Sequence, residues 1–177
     1  MSQERITTTL EVFDWAIGYY HFPVDKETTE KYTSHEHRRV VCHINNQIKI
    51  HCALMPLGEG SFIMVSKKVR KALAINEGDE VSLQLEKDKS EYGLPMPESL
   101  EMVLTLDDQA FEHFKNLTPG KQRSLIYIVS QLKSIDKQIT KSMAIADHLK
   151  EIQGQLDYKL LNKKIKDYNE NSRLNKF

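Results

Sequence analysis

Residues 38–86 read RRVVCHINNQIKIHCALMPLGEGSFIMVSKKVRKALAINEGDEVSLQLE. Apolar and polar side chains alternate on both sides of Asn45-Asn46-Gln47, the pattern of a half-buried hairpin. A three-residue loop there pairs Ile44 with Ile48, Cys42 with Ile50 and Val40 with Cys52. That register puts all six on one face, as burial requires. A two-residue loop at Asn45-Asn46 sets Cys42 against Lys49 and mixes the faces. Asn tolerates the left-handed backbone that such a turn needs. Beyond the hairpin, Leu54-Met55-Pro56 reads as a turn. Gly58-Glu59-Gly60 reads as a second turn, leading into a strand over residues 61–65. Ser66 stands at the N-cap position of a short helix over residues 67–73. Residues 76–79, NEGD, turn the chain into a last strand over 80–86, with Val81, Leu83 and Leu85 on one face.

Upstream, residues 6–13 read as one strand with Ile6, Thr8, Leu10 and Val12 on a common face, and residues 19–23 as a second extended stretch. Residues 25–37 are polar and read as a loop or short helix. Downstream the period changes. Residues 87–97, KDKSEYGLPMP, are charged and then rich in Gly and Pro, which interrupt both helices and strand ladders. After them apolar residues recur every three or four positions. Short helices are expected over 98–104 and 108–117, with Asp107 capping the second. Thr118-Pro119 starts another, a hydroxyl before a Pro at the first helical position. Its stripe is Leu125, Ile128, Val129 and Leu132. A longer helix over 136–152 has its stripe at Ile139, Met143, Ala146 and Leu149, and Gly154 ends it. Leu156, Leu160, Leu161, Ile165 and Tyr168 mark the last helix. The expected organisation is a sheet domain at 1–90, a linker at 91–97, a helical region at 98–170 and a frayed tail at 171–177. The short linker and the small area each short helix buries predict one cooperative folding unit.

The chain holds 25 Lys and Arg against 25 Asp and Glu. Zero net charge does not suit a generic polyanion binder, so nucleic acid is not the expected partner. The longest apolar run is residues 125–129, far short of the about 20 needed to span a membrane. A soluble, cytoplasmic protein is expected, as a monomer or weak dimer.

Residues 38–86 resemble the small barrel domain often found ahead of a helical region called YdeI/OmpD-associated, or bacteriocin-protection. The hairpin, Leu54-Met55-Pro56, Gly58 and Gly60, VRKAL at 69–73 and EGDEV at 77–81 carry the likeness. The helical half is similar to that region in PMPESLEMVL, FEHFKNLTPGKQR and YIVSQLKS. Together the two cover roughly residues 6–150. The resemblance implies an α+β protein: a double-split β-barrel, of the kind shared with AbrB-like transition-state regulators, followed by a bundle of short α-helices. Where the family carries a Thr-Arg pair and a further Arg, residues 135–143 read IDKQITKSM. Lys137 and Lys141 keep positive charge there without the bidentate fork of arginine.

Candidate chemistry is sparse. His43 and His51 lie on the polar face of the hairpin, with His35 and His37 just upstream. Imidazole is the commonest metal ligand, but the spacing fits no metal motif. These two histidines are instead a candidate ligand face. Cys42 and Cys52 sit on diagonal positions, about 7–8 Å apart, too far to bridge easily. They read as unpaired, buried thiols. No nucleophile elbow or phosphate loop is present, and neither a metal nor a cofactor is expected. Lys137, Lys141 and His148 fall opposite the apolar stripe of their helix, with Ala144 beside them and Arg123 on the preceding helix. They form a candidate exposed stripe for an acidic protein segment or an anionic ligand. The lack of a catalytic constellation points to a non-enzymatic binding module, and the resemblance implies a role in stress or bacteriocin protection. The alternatives are a DNA-binding regulator, by analogy with AbrB-like folds, and a small-ligand binder or enzyme using the histidine-bearing hairpin face.

Overall fold

The computed structural model describes residues 5–35 and 37–174. The chain divides into two compact units, one ending at Lys89 and the other starting at Ser90. It is mixed α+β, with two sheets in the first unit.

The sheet unit contains β1 (Arg5–Thr9), β2 (Glu11–Phe13), β3 (Ala16–Val24), α1 (Lys26–Tyr32), β4 (Arg39–Ile44), β5 (Ile48–Ala53), β6 (Met55–Leu57), β7 (Gly60–Val65), α2 (Lys67–Leu73) and β8 (Glu80–Lys87). One sheet has the order β1-β8-β4-β5 and the other β2-β3-β7-β6. Neither closes on itself. The hairpin has the register its alternation demands: Ile44 faces Ile48, Cys42 faces Ile50 and Val40 faces Cys52. Asn45 and Asn46 take φ of 50° and 54°, the left-handed region that Asn tolerates. Both cysteines are unpaired.

Two expectations are corrected here. Residues 6–13 are not one strand. The chain leaves the first sheet after Thr9 and enters the second at Glu11. Leu10 lies fully buried at the crossing. Its N–H donates to Asp79 O (2.9 Å), and its carbonyl accepts from Gly78 N–H (2.9 Å). The run Leu54-Met55-Pro56 is likewise not a turn. It is a second crossing, from β5 to β6, with Leu54 fully buried and its N–H bound to Arg38 O (2.9 Å). Period-two alternation is blind to such a crossing, because an inward residue serves both sheets. One core lies under both, with Phe22, Ile44, Ile63, Leu83 and Leu85 fully buried within it. α1 is capped by the Asp25 carboxylate, which accepts from Thr28 N–H (2.8 Å), and joins β7 through a buried Thr29–Ser61 hydroxyl bond (2.7 Å). Gly60 permits this approach, since a Cβ there would lie 2.4 Å from Val24 O.

The helical unit contains α3 (Glu98–Thr105), α4 (Asp108–Lys115), α5 (Pro119–Ser130), α6 (Ile135–Glu151) and α7 (Tyr158–Leu174). Asp107 caps α4, accepting from Ala110 N–H (3.0 Å). Thr118 holds the N-cap position of α5 with Pro119 in the first turn, but its hydroxyl makes no cap hydrogen bond. Leu100, Phe114, Leu125, Ile145, Leu149 and Leu161 form a core that belongs to this unit alone. The short helices of this unit thus bury their apolar faces together, against one another. Residues 171–174, expected to fray, are the last turn of α7, and residues 175–177 lie outside the described residues. No helix among the described residues is long and apolar enough to cross a membrane.

Candidate functional site

α6 is the central helix of its unit, packed against α3, α4, α5 and α7. Small side chains at Ser142, Ala144 and Ala146 let its neighbours approach closely, and all three are buried. A helix enclosed on several sides has no single inward stripe, which redistributes the residues that sequence placed together.

Lys137 and Lys141 remain together. They stand one turn apart and line a groove of about 320 Å³ where the first turns of α6 meet the last turns of α7. Thr140 lines it from α6, and Asn169 and Ser172 from α7. The Thr140 hydroxyl donates to Asp136 O (2.8 Å) and that of Ser172 to Asn169 O (3.0 Å). Both hydroxyls are therefore committed to backbone, which leaves the two ammonium groups and the Asn169 amide as the groove's donors. Asp136 also lines the groove, so two positive charges stand against one negative. Lys141 is half-buried, and its Nζ donates to Ile128 O of α5 at 3.4 Å. Burial holds its pKa below the ordinary lysine value. An ammonium carries three N–H groups. One carbonyl satisfies one of them, so a second oxygen acceptor in this groove meets a poorly solvated cation.

His148 is a correction. It is 1 % exposed, not part of an outward stripe. Its Nε2 accepts from Asp157 N–H (3.4 Å), just ahead of α7. Burial lowers its pKa against the opposing pull of Asp157 and Glu151, and the neutral ring is what this contact uses. Ala144 is buried as well, while Met143, expected inside, is exposed. Arg123 sits half-buried on α5 and does not line the groove.

His43 and His51 share one face of the sheet but do not converge. His43 Nε2 lies 3.4 Å from Glu86 Oε1. His51 Nδ1 lies 2.8 Å from Asp88 Oδ2, and the Asp88 side chain is 1 % exposed. Each imidazole has its own carboxylate from β8 or the residue after it. Among the described residues no group of three or more His, Cys, Asp or Glu is placed to hold a metal ion. Burial raises both thiol pKa values, that of Cys52 to about 12.

Residues 94–151 match the family model described as Bacteriocin-protection, YdeI or OmpD-Associated. The helical half of the chain is thus similar to that family over α3 to α6. Residues 7–85 match a second model, a domain of unknown function, DUF1905. No curated protein matches the chain. The YdeI/OmpD-associated match covers α3 to α6 and so contains Lys137 and Lys141. The other side of the groove, Asn169 and Ser172, lies beyond it on α7. Sequence reasoning missed Ser172 because it expected a frayed tail from 171, and missed Asn169 because no local pattern pairs it with α6. The spacing Leu161, Ile165, Tyr168, Ser172 continues the helical period and was the available signal. Asp88 was missed because it follows the last expected strand, 80–86, in the charged run 87–97 that carries no periodic signal.

Proposed function

We propose that this chain is a non-enzymatic binding module of the bacteriocin-protection kind, whose α6–α7 groove receives an anionic group. The group is a carboxylate of an acidic protein segment or a small anionic ligand. The observation that carries this reading is Lys141, a half-buried ammonium with one carbonyl acceptor, set one turn from the exposed Lys137 in a groove. Lysine supplies charge without bidentate geometry, so binding is modest and salt-sensitive. The same proposal takes the two sheets as a double-split β-barrel of AbrB-like type; the crossings at Leu10 and Leu54 over one core support it. It places the protein in the cytoplasm as a monomer or weak dimer, in keeping with two unpaired thiols.

The test is calorimetric titration of the full chain with an oligoglutamate peptide and with inorganic phosphate. At low salt at least one probe binds, and about 1 M salt, where the screening length is about 3 Å, abolishes the binding. The Lys137→Glu, Lys141→Glu double variant loses it at least about tenfold. A variant that melts like the parent and binds both probes equally well refutes the proposal.

A further inference from the structure

A second surface of the helical unit lies on another side of α6. α3 runs alongside α6 in the same direction: Ser99 Oγ donates to Gln138 Oε1 (3.0 Å) near one end, and Lys150 Nζ meets Asp107 Oδ2 (2.6 Å) at the other. α7 returns antiparallel, tied by the Tyr168 hydroxyl to Asp147 and by Lys164 to Glu151. Between these walls α6 presents Ile139, Met143 and Ala146 as the floor of a groove of about 330 Å³. Met102, Val103 and Leu106 form the α3 wall. Leu106 is 81 % exposed, and Met102, Met143 and Ile135, one turn before Ile139, are exposed too. The floor is the stripe that the sequence marks as core-facing. Its helical period is intact, but only its first part is open: Met143 is exposed and Ile139 half-buried, while Ala146 lies buried at the bottom of the groove.

Charge says what fits it. Residues 94–114 hold five acidic and no basic side chains. Glu98 shares the α3 face of Met102 and Leu106, and Asp108 follows at the start of α4. Asp107 and Asp147 line the groove, and its cation, Lys150, is held by both of them, at 2.6 and 3.2 Å. The border is therefore acidic around an apolar floor. Two exposed methionines suit an adaptable contact, since thioether side chains repack around different apolar groups. A twofold contact with a second copy would set this acidic border against itself.

We propose that the α3–α6–α7 groove docks a basic amphipathic helix of a partner protein, its Leu- or Met-type stripe on Met102 and Met143 and its Lys or Arg side chains on the acidic border. This is the helix-in-groove mode, read from anchors at helical spacing. It is independent of the anion groove, which uses a different side of α6.

The test uses the full chain labelled with [13C]methyl-methionine, whose six methionines include Met102 and Met143. Met102→Leu and Met143→Leu variants assign their methyl signals. The probe is a synthetic amphipathic helix of four turns, about 14 residues, made of Leu and Lys. A Leu and Glu peptide with the same apolar stripe is the control. The Leu/Lys peptide should shift Met102 and Met143 while leaving Met55 and Met64 unmoved, and the Leu/Glu peptide should bind at least about tenfold more weakly. Met143→Lys, at an exposed position, should keep the parent melting curve and abolish the shifts. Lys137→Glu with Lys141→Glu should leave them intact. Equal binding of the two peptides, shifts confined to Met55 and Met64, or no shift at all would overturn the proposal. So would concentration-dependent broadening of Met102 and Met143 without peptide, which would mean a second copy fills the groove.

Discussion

In the sheet unit, partners come from far along the chain. Cys42 faces Leu85, Thr8 faces Val81 and Phe22 faces Ile63. In the helical unit, successive helices fold over a central α6. The two units also leave different apolar surfaces uncovered. On the outer face of the second sheet, Phe13 lies flat on His21 (3.9 Å between centroids, 7° between planes), and Trp15 beside it is 81 % exposed. The elements that carry that patch bear charges of both signs: Glu11 and Asp14 on its own hairpin, and Lys67 and Lys68 in the first turn of α2, after β7. The α3–α6–α7 groove is bordered by a net negative charge, with Lys150 shared between Asp107 and Asp147. An apolar surface alone says that something can dock, whereas a border with net charge also selects what docks.

Separate cores imply separate failures. Phe22→Ala and Phe114→Ala each remove a fully buried ring and should cost about 3–5 kcal/mol in their own unit. Amide hydrogen exchange locates the damage. Phe114→Ala should speed exchange in α6 and leave β4 protected, and Phe22→Ala should do the reverse. If either variant loosens both elements equally, the comparison between two units collapses into one cooperative structure.

A smaller contrast concerns ion pairs. Asp88→Ala strips a deeply buried partner from His51 and should cost about 1–3 kcal/mol. Lys150→Met removes a partly exposed cation from Asp107 and Asp147 and should cost less than about 1 kcal/mol. Urea unfolding of the two variants gives the order, and the reverse order would mean that the helical unit depends more on its charges than its burial suggests.

Smaller still, each unit ends a helix on a residue strained for its type. Ala74 after α2 and Gln153 after α6 have φ of 53° and 50°. Ala74→Gly and Gln153→Gly should each raise stability by about 0.5–1 kcal/mol, read as higher melting midpoints. A loss at either site would show that the side chain does more than its backbone costs.

The last contrast is in pH. Burial is the leading cause of the lowered pKa at both His21 and His148, outweighing the nearby carboxylates. A folded state that disfavours the imidazolium gains stability above the ordinary value of 6.5 and loses it as pH falls below that towards the folded pKa. The stability advantage of parent over His21→Gln, or over His148→Gln, should therefore shrink from pH 7 to pH 5. An advantage that grows on acidification would reverse the sign assigned to burial.

Sequence legibility followed the same division. The β4–β5 register was readable because a one-residue slip would turn Cys42 and Ile44 to solvent. The two crossings were not readable, since Leu10 and Leu54 point inward on either side of them. On α6 the single-stripe rule failed for His148 because the helix is enclosed on that side too, and for Met143 because it faces the open α3–α6–α7 groove. Lys137 and Lys141 survived because they sit near the end of α6 where that enclosure opens. No local pattern in the sequence pairs His51 with Asp88, which lie 37 positions apart.

The crossings also bear on how the sheet unit tolerates changes of length. Leu10 is pinned on both sides of its peptide by residues 78 and 79, and Leu54 is pinned to Arg38. Each pin acts as a frame boundary. A residue inserted in β1 would exchange the inward and outward roles of Ile6 and Thr7, yet the shift would stop at Leu10 and leave β2 in phase. A residue inserted in β5 would likewise scramble only the segment before Leu54. Insertions and deletions in this unit should thus behave as local edits between two fixed leucines, so lineage-specific changes of strand length are expected within β1, β2, β5 or β6 but not at positions 10 and 54.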